Sequence, residues 1–255
     1  MTATVTDSAD LSDILAREDW LERGFGAEIL AAERALAASK MPGLFGFHLM
    51  QVGISRRVSL YEESVVRHRF RISAEPGGDG CMAVAAPESL PFEADSIDVA
   101  LLHHALEYSP DPHQLLREAA RVVVPHGHIV VIGFNPWSLF GLCSLPGRFL
   151  GHPVWRSRLL GVRRVCDWLK LLDFAIDDVQ YRVFSPPVDN ERVLRKLRAI
   201  DEGAARWNLP GGAVYMVHAR KQQGVITPSR GLRWRAPRFA AVPLATPSTR
   251  NPTLH

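Results

Sequence analysis

Cysteine is scarce in this 255-residue chain. Cys81, Cys143 and Cys166 lie far apart and make no CxxC pair, which excludes a disulfide framework and offers no zinc-binding spacing. A reducing, cytoplasmic setting fits that usage. The opening residues MTATVTDSADLSDILARED have no basic-then-apolar pattern, so secretion is not expected. Long apolar runs are almost absent as well. The longest uncharged stretch, residues 129 to 147, approaches the roughly 20 residues of a membrane span. Asn135-Pro136 and Pro146-Gly147 interrupt it, and its first part, HIVVIGF, has the length of a buried strand; no transmembrane span is expected. Acidic residues are missing from positions 222 to 255, which hold five arginines, so the rest of the chain carries a net −2 out of a total of +3. A second stretch, residues 148 to 164 (RFLGHPVWRSRLLGVRR), is also basic without an acid. Such segments could draw in an anionic small molecule, a nucleic acid or a membrane surface, or could simply be solvated. Nothing in the composition sets an oligomeric state.

What the chain does have is enough apolar residue, 47% against 22% charged, to bury one sizeable core. Three parts are expected: an N-terminal helical extension over residues 1–44, a main domain over 45–221, and a basic, disordered tail over 222–255. Residues 19 to 40 place Leu21, Phe25, Ile29, Leu30 and Leu36 on one helical stripe. GFHLMQVG, residues 46 to 53, and HRFRIS, residues 68 to 73, read as strands. Farther on, residues 161 to 173 read as a helix carrying Val162, Val165, Trp168, Leu169 and Leu172 on one face, followed by a strand, FAIDDVQYRVF. DNERVLRKLRAIDEG, residues 189 to 203, looks helical, and AVYMVHARK, residues 213 to 221, reads as a final edge strand.

The clearest unit is SIDVALLHHALEYSPDPHQLLREAARVVVPHGHIVVIGFNP, residues 96 to 136. Ile97 to Leu102, apolar except for Asp98, reads as a strand of the kind that is covered on both faces. Asp111 suits a helix N-cap, Pro112 the first helical position, and Gln114 completes a capping-box pattern. Leu115, Leu116, Ala119, Val122 and Val123 then follow helical spacing until Pro125-His126-Gly127 stops it. His128 to Phe134 supplies the next strand. Strand, helix and strand with short joints make a right-handed parallel crossover, hence an α/β sheet.

Taken together, Leu90-Pro91-Phe92, Ser96-Ile97-Asp98, His103-His104 to Glu107, Leu116-Arg117-Glu118, and Arg121-Val122 with Pro125 to Gly127 resemble the central half of class I S-adenosylmethionine-dependent methyltransferases. It looks most like the branch containing the quinone-biosynthesis C-methyltransferases. GFHLMQVG and GFNPWSLFGL look like a bacterial subgroup of it. The resemblance covers residues 85 to 142 and, through element order, about 45 to 221. It implies a Rossmann-like, seven-stranded, mostly parallel sheet with helices on both faces and an antiparallel last strand. S-adenosyl-L-methionine would bind at the carboxyl ends of the first strands, and a small molecule or RNA would accept the methyl group. The family's GxGxG loop corresponds here to Gln51-Val52-Gly53-Ile54-Ser55-Arg56-Arg57. Only Gly53 remains, and Gln51 stands near the family's acidic residue. Glu75, 22 residues beyond Gly53, is at the distance of the residue that grips the ribose hydroxyls. Ahead of Leu90, Ala86-Pro87 replaces the family's aspartate, leaving Glu88 and Ser89 as substitutes.

On a strand, His103 and His104 should project to opposite faces, so at most one would meet the cofactor and the two make a poor metal pair; no metal is expected. His104 is the candidate catalytic base, since imidazole titrates near neutral pH, with Glu107 and Tyr108 as alternatives. Asn135 and Trp137, just after a strand, are candidates for substrate binding. The worn glycine loop keeps a second class open: a non-catalytic binding or scaffold protein of the same fold, able to meet nucleic acid through the basic tail.

Overall fold

The computed structural model describes residues 8–73, 81–147, 158–187, 201 and 203–222. The tail expected at 222–255, beyond Gln222, and nearly all of the helix expected at 189–203 lie outside these residues, as does Glu75. Among the described residues seven strands form one sheet: β1 (His48–Gly53), β2 (His68–Ser73), β3 (Cys81–Val84), β4 (Ile97–His103), β5 (Val123–Phe134), β6 (Phe174–Arg182) and β7 (Val214–Lys221). Their order is β3-β2-β1-β4-β5-β7-β6. The first five pair parallel, and β7 runs antiparallel to both β5 and β6. AVYMVHARK is therefore not an edge strand. Six successive buried residues, Val214 to Ala219, reflect its place between β5 and β6, because an inserted strand is covered on both faces whatever its alternation.

The helices follow from local chemistry. In α4 (Pro112–Val122) the Asp111 carboxylate accepts the Gln114 N–H at 3.0 Å, and Pro112 opens the first turn. The Gln114 side chain does not return to close the box; its amide donates to the Glu88 carbonyl instead. α4 and α6 (Val162–Leu171) cover one face of the sheet, burying Leu115, Leu116, Ala119, Val165 and Leu169 against Met50, Ala100, Leu102, Val131 and Val217. The opposite face is covered by α2 (Gly24–Lys40), preceded by α1 (Ser8–Leu21). Phe25, Ile29, Leu36 and Met41 pack there on Leu49, Leu101, Ile132, Phe134 and Met216. The single helix expected over 19–40 is thus two. Gly24 takes φ 51°, a left-handed conformation that ends a helix, and a side chain at Gly26 would strike the Trp20 carbonyl.

Between β1 and β2 the fourteen residues 54–67 form turns without a helix. Their Val58, Leu60 and Val66 fill the α2 face of the sheet directly. The described residues fall in one compact unit. Among the described residues no helix is long and apolar enough to cross a membrane.

Candidate functional site

The carboxyl ends of β1, β4 and β5 lie side by side, with Gly53 beside His103 and His103 beside Ile132. In open α/β sheets this edge is where ligands sit. A Cβ on Gly53 would stand 3.1 Å from the His103 carbonyl oxygen and 3.2 Å from its Cβ, so a larger residue there would need His103 to give by a few tenths of an ångström. The loop that follows is satisfied from within. The N–H groups of Ile54, Arg57, Val58 and Leu60 donate to the His103 carbonyl, the Ser55 hydroxyl (twice) and the Gln51 side-chain oxygen, in that order. The Arg56 N–H donates at 2.7 Å to Glu18 of α1, a carboxylate only 1% exposed that also accepts from the Ser55 hydroxyl and faces the Arg56 and Arg57 guanidiniums at 3.5 Å. Gln51 is turned under this loop, donating to the Val58 carbonyl at 2.8 Å. The contact expected between Gln51 and a cofactor does not fit this position, because both ends of its amide are engaged and the residue is buried.

Beside Gly53 lies a fully buried charge network. Glu33 of α2 meets His103 Nε2 at 2.9 Å through one oxygen and His104 Nε2 at 2.6 Å through the other; His104 Nδ1 meets Glu107 at 2.7 Å, and Glu107 accepts the Phe134 N–H. His103 and His104 do not diverge as strand alternation requires. β4 ends at His103, and His104 takes φ 53°, ψ 12°, a left-handed turn that swings its ring onto Phe134, with centroids 3.9 Å apart. Burial alone would raise the Glu33 pKa, but the two imidazoles bring it down to about 2. Burial would likewise lower that of His104, yet Glu33 and Glu107 hold it up at about 10. Burial raises Glu107 despite its bonds to His104 and Phe134. His104 is therefore an imidazolium clamped between two carboxylates. The base expected of it is corrected on that ground, since both ring nitrogens are occupied and it has no lone pair to take a proton at neutral pH.

His103 differs. Burial lowers its pKa, its Nε2 faces the ionised Glu33, and its Nδ1 is buried without a hydrogen-bond partner. That atom, 3.5 Å from where a Gly53 Cβ would stand, is an acceptor at the sheet's carboxyl edge. Glu33, His103 and His104 also offer ligand atoms close enough for a metal ion. All three are sealed from solvent, and the Glu33 oxygens are divided between two rings.

The other candidates spread along the same edge. Glu88 accepts from the Ser109 hydroxyl, Ser89 is exposed, and both backbone groups of buried Leu90 are engaged, with Glu118 and Arg121. Asn135 is 3% exposed; its side chain bonds the Gly212 carbonyl and the Trp137 N–H. It still lines, with Trp137, Arg163 and Tyr181, a cavity of about 450 Å³ at the carboxyl ends of β5 and β6. The Trp137 ring is 81% exposed there. Sequence reasoning missed Glu18, Glu33 and this cavity's Tyr181. Glu33 left one signal, a carboxylate four residues after Ile29 within the apolar stripe of α2.

Comparison with known proteins agrees with this geometry. The family described as "Methyltransferase domain" matches residues 50–131. The Escherichia coli protein YafS is 40% identical over 134 residues, 52% of this chain and 55% of the relative, and a Mycobacterium marinum methyltransferase is 35% identical over 91 residues, 36% and 32% of the two. The chain thus spans about half of the first relative's length and a third of the second's. Among solved structures, a Thermotoga maritima S-adenosylmethionine-dependent methyltransferase aligns with TM-score 0.58 at 14% identity over 82% of this chain and 99% of that one. A Mesorhizobium loti enzyme of the same description aligns with TM-score 0.51 at 19% identity over 73% and 96%. Residues 50–131 thus match a methyltransferase domain, and the fold is that of S-adenosylmethionine-dependent methyltransferases. The cofactor this implies is S-adenosyl-L-methionine, and two features here fit it: the close backbone at Gly53, where a side chain would crowd His103, and the bare Nδ1 of His103 beside it. The loop after Gly53 presents its amides to the chain itself.

Proposed function

We propose that the protein is a methyltransferase that transfers a methyl group from S-adenosyl-L-methionine to a small-molecule acceptor carrying a planar apolar part and an anionic group. The cavity at Trp137 carries this reading. Its volume of about 450 Å³ falls in the range of about 300–1,000 Å³ typical of small-molecule sites, and it adjoins the edge that holds Gly53 and His103. An acceptor of that size suits the cavity better than RNA does. Trp137 and Tyr181 offer ring faces, and Arg163 offers a guanidinium that pairs with a carboxylate or phosphate.

The cofactor supplies an electrophilic methyl group on a sulfonium, so the chain's own task is chiefly alignment. Gly53 leaves room for close approach, His103 Nδ1 accepts a hydrogen bond from a hydroxyl or ammonium, and Glu75, Glu88 and Ser89 are the remaining proposed contacts for the ribose and adenine. His104 acts as a positioning residue, its charge fixing Glu33 and thereby the tautomer of His103, with Nε2 protonated and Nδ1 bare.

One observation favours a second reading. The amides of residues 54, 56, 57, 58 and 60 all donate within the chain, as suits a non-catalytic scaffold of this fold. Calorimetric titration with S-adenosylhomocysteine separates the two. Binding at about 1–100 μM, weakened at least tenfold by Gly53→Val and by Glu75→Ala, supports the enzyme; silence at millimolar ligand supports the scaffold.

A further inference from the structure

At the opposite edge of the sheet, three residues from three adjacent strands converge: His128 of β5, His218 of β7 and Asp177 of β6. Their ligand atoms all lie within 4.8 Å of one another. We propose that His128, His218 and Asp177 form a binding site for a divalent transition metal of the zinc class, leaving one coordination position open to water. The inference does not rest on the methyltransferase reading. His128 pairs with Val99, and Ile132 pairs with His103, which sets the cluster four residues below the cofactor edge, roughly 13 Å at 3.3 Å per residue.

Two independent features make this a built arrangement. The first is the spacing of the rings. His218 Nε2 and His128 Nδ1 are 3.1 Å apart. Two nitrogens bound tetrahedrally at about 2.0–2.1 Å from one zinc stand about 3.3 Å apart, so both rings reach one ion with a shift of a few tenths of an ångström. The register explains their meeting. Val130 opposes His218 while His128 opposes Arg220, so the histidines are diagonal neighbours on one face of the sheet. The second feature is a break in β6. Ile176 pairs with Ala219 and Asp178 with His218, so Asp177 is the extra residue of a bulge, and the bulge turns its carboxylate toward the histidines. Bulges recur where a side chain is re-aimed for function.

The local chemistry suits a cation of this class. Two imidazoles and a carboxylate are the donors of open zinc sites. Exposed Asp177 and half-buried His128 leave a path from solvent. The competitor for Asp177 is Arg220, whose guanidinium lies 3.6 Å from its carboxylate; Lys40 is held by Asp178.

The test is a competition titration of the full, tag-free, chelator-treated chain with Zn²⁺, and with Co²⁺ for its visible spectrum. One equivalent should bind below about 1 μM, with an intense tetrahedral Co²⁺ band. His218→Gln and His128→Gln should each weaken binding at least tenfold. Arg220→Ala, at an exposed position that does not threaten folding, should tighten it by freeing Asp177. Glu33→Gln, which disables the buried cluster at the other edge, should leave it unchanged. Absence of binding below about 100 μM, or affinity that follows Glu33 rather than His128 and His218, would overturn the proposal.

Discussion

Replacing Glu33 with glutamine tests the charge network that joins α2 to the end of β4. The substitution keeps the shape and removes the charge, leaving the buried His104 imidazolium with Glu107 alone. The depression of the Glu33 pKa from 4.5 to about 2 corresponds to about 3 kcal/mol at 1.36 kcal/mol per unit. Breaking a buried ion pair typically costs about 3–5 kcal/mol, so the two routes agree. For a unit of 223 residues, about 3 kcal/mol should lower the melting temperature by roughly 6–12 °C. The pH dependence is the sharper measurement. Glu33 has a depressed folded pKa, so its contribution is complete above about pH 4.5 and is lost as pH falls toward about 2. His104 has a raised one; its contribution is complete below about pH 6.5 and is lost as pH rises toward about 10. The gap between wild type and Glu33→Gln should therefore be widest between about pH 4.5 and 6.5, and should narrow steadily at alkaline pH. Reversible urea unfolding followed by circular dichroism at pH 5.5, 7.5 and 9.5 measures it. A deficit below about 1 kcal/mol, or one that stays flat across that range, would refute the imidazolium clamp.

Glu18→Ala should release the Arg56 N–H and the Ser55 hydroxyl together, so amide exchange across residues 54–60 should quicken at least tenfold while that of β4 and β5 holds; equal protection in both proteins would rule out the clamp by α1. Asp111→Ala removes the N-cap acceptor of α4 and should cost about 1 kcal/mol in urea unfolding, with Asp111→Asn recovering most of it. Trp137→Ala, at a largely exposed ring, should change stability by less than about 0.5 kcal/mol yet quench the response of tryptophan fluorescence to acceptors; a ligand response that survives the substitution would move the acceptor away from this cavity.

The unit from Ser96 to Pro136 was legible because its signals are local. The apolar run from Val99 to Leu102 and the cap at Asp111 each act within a few residues, and strand, helix and strand formed in the expected order, but the helix ends at Val122 and β5 takes in Val123 and the Pro125 to Gly127 turn that was expected to stop the helix. The position of β7 was not legible. Alternation reports which faces of a strand are covered, and insertion between β5 and β6 depends on pairing with residues 123–134 and 174–182, far off in sequence. β3 was missed because four residues at a sheet edge are too few to show a period. The same limit governed the site. Gly53 stood out by type, and Asn135 and Trp137 by their place after a strand. The state of His104 depends on Glu33, 71 residues away, and on a left-handed turn that no residue preference announces.

The coverage of the α2 face fixes an order of events during synthesis. α1 and α2 leave the ribosome before the sheet, but Leu101, Ile132, Phe134 and Met216, on which α2 packs, follow later, Met216 by 191 residues after Phe25. Until β7 is made, the stripe of Phe25, Ile29, Leu36 and Met41 has no complete surface to close on. Contacts this distant in sequence slow folding through the cost of loop closure. The nascent chain therefore carries an incompletely covered apolar helix until β7 is made, a condition under which a folding intermediate aggregates or recruits a chaperone.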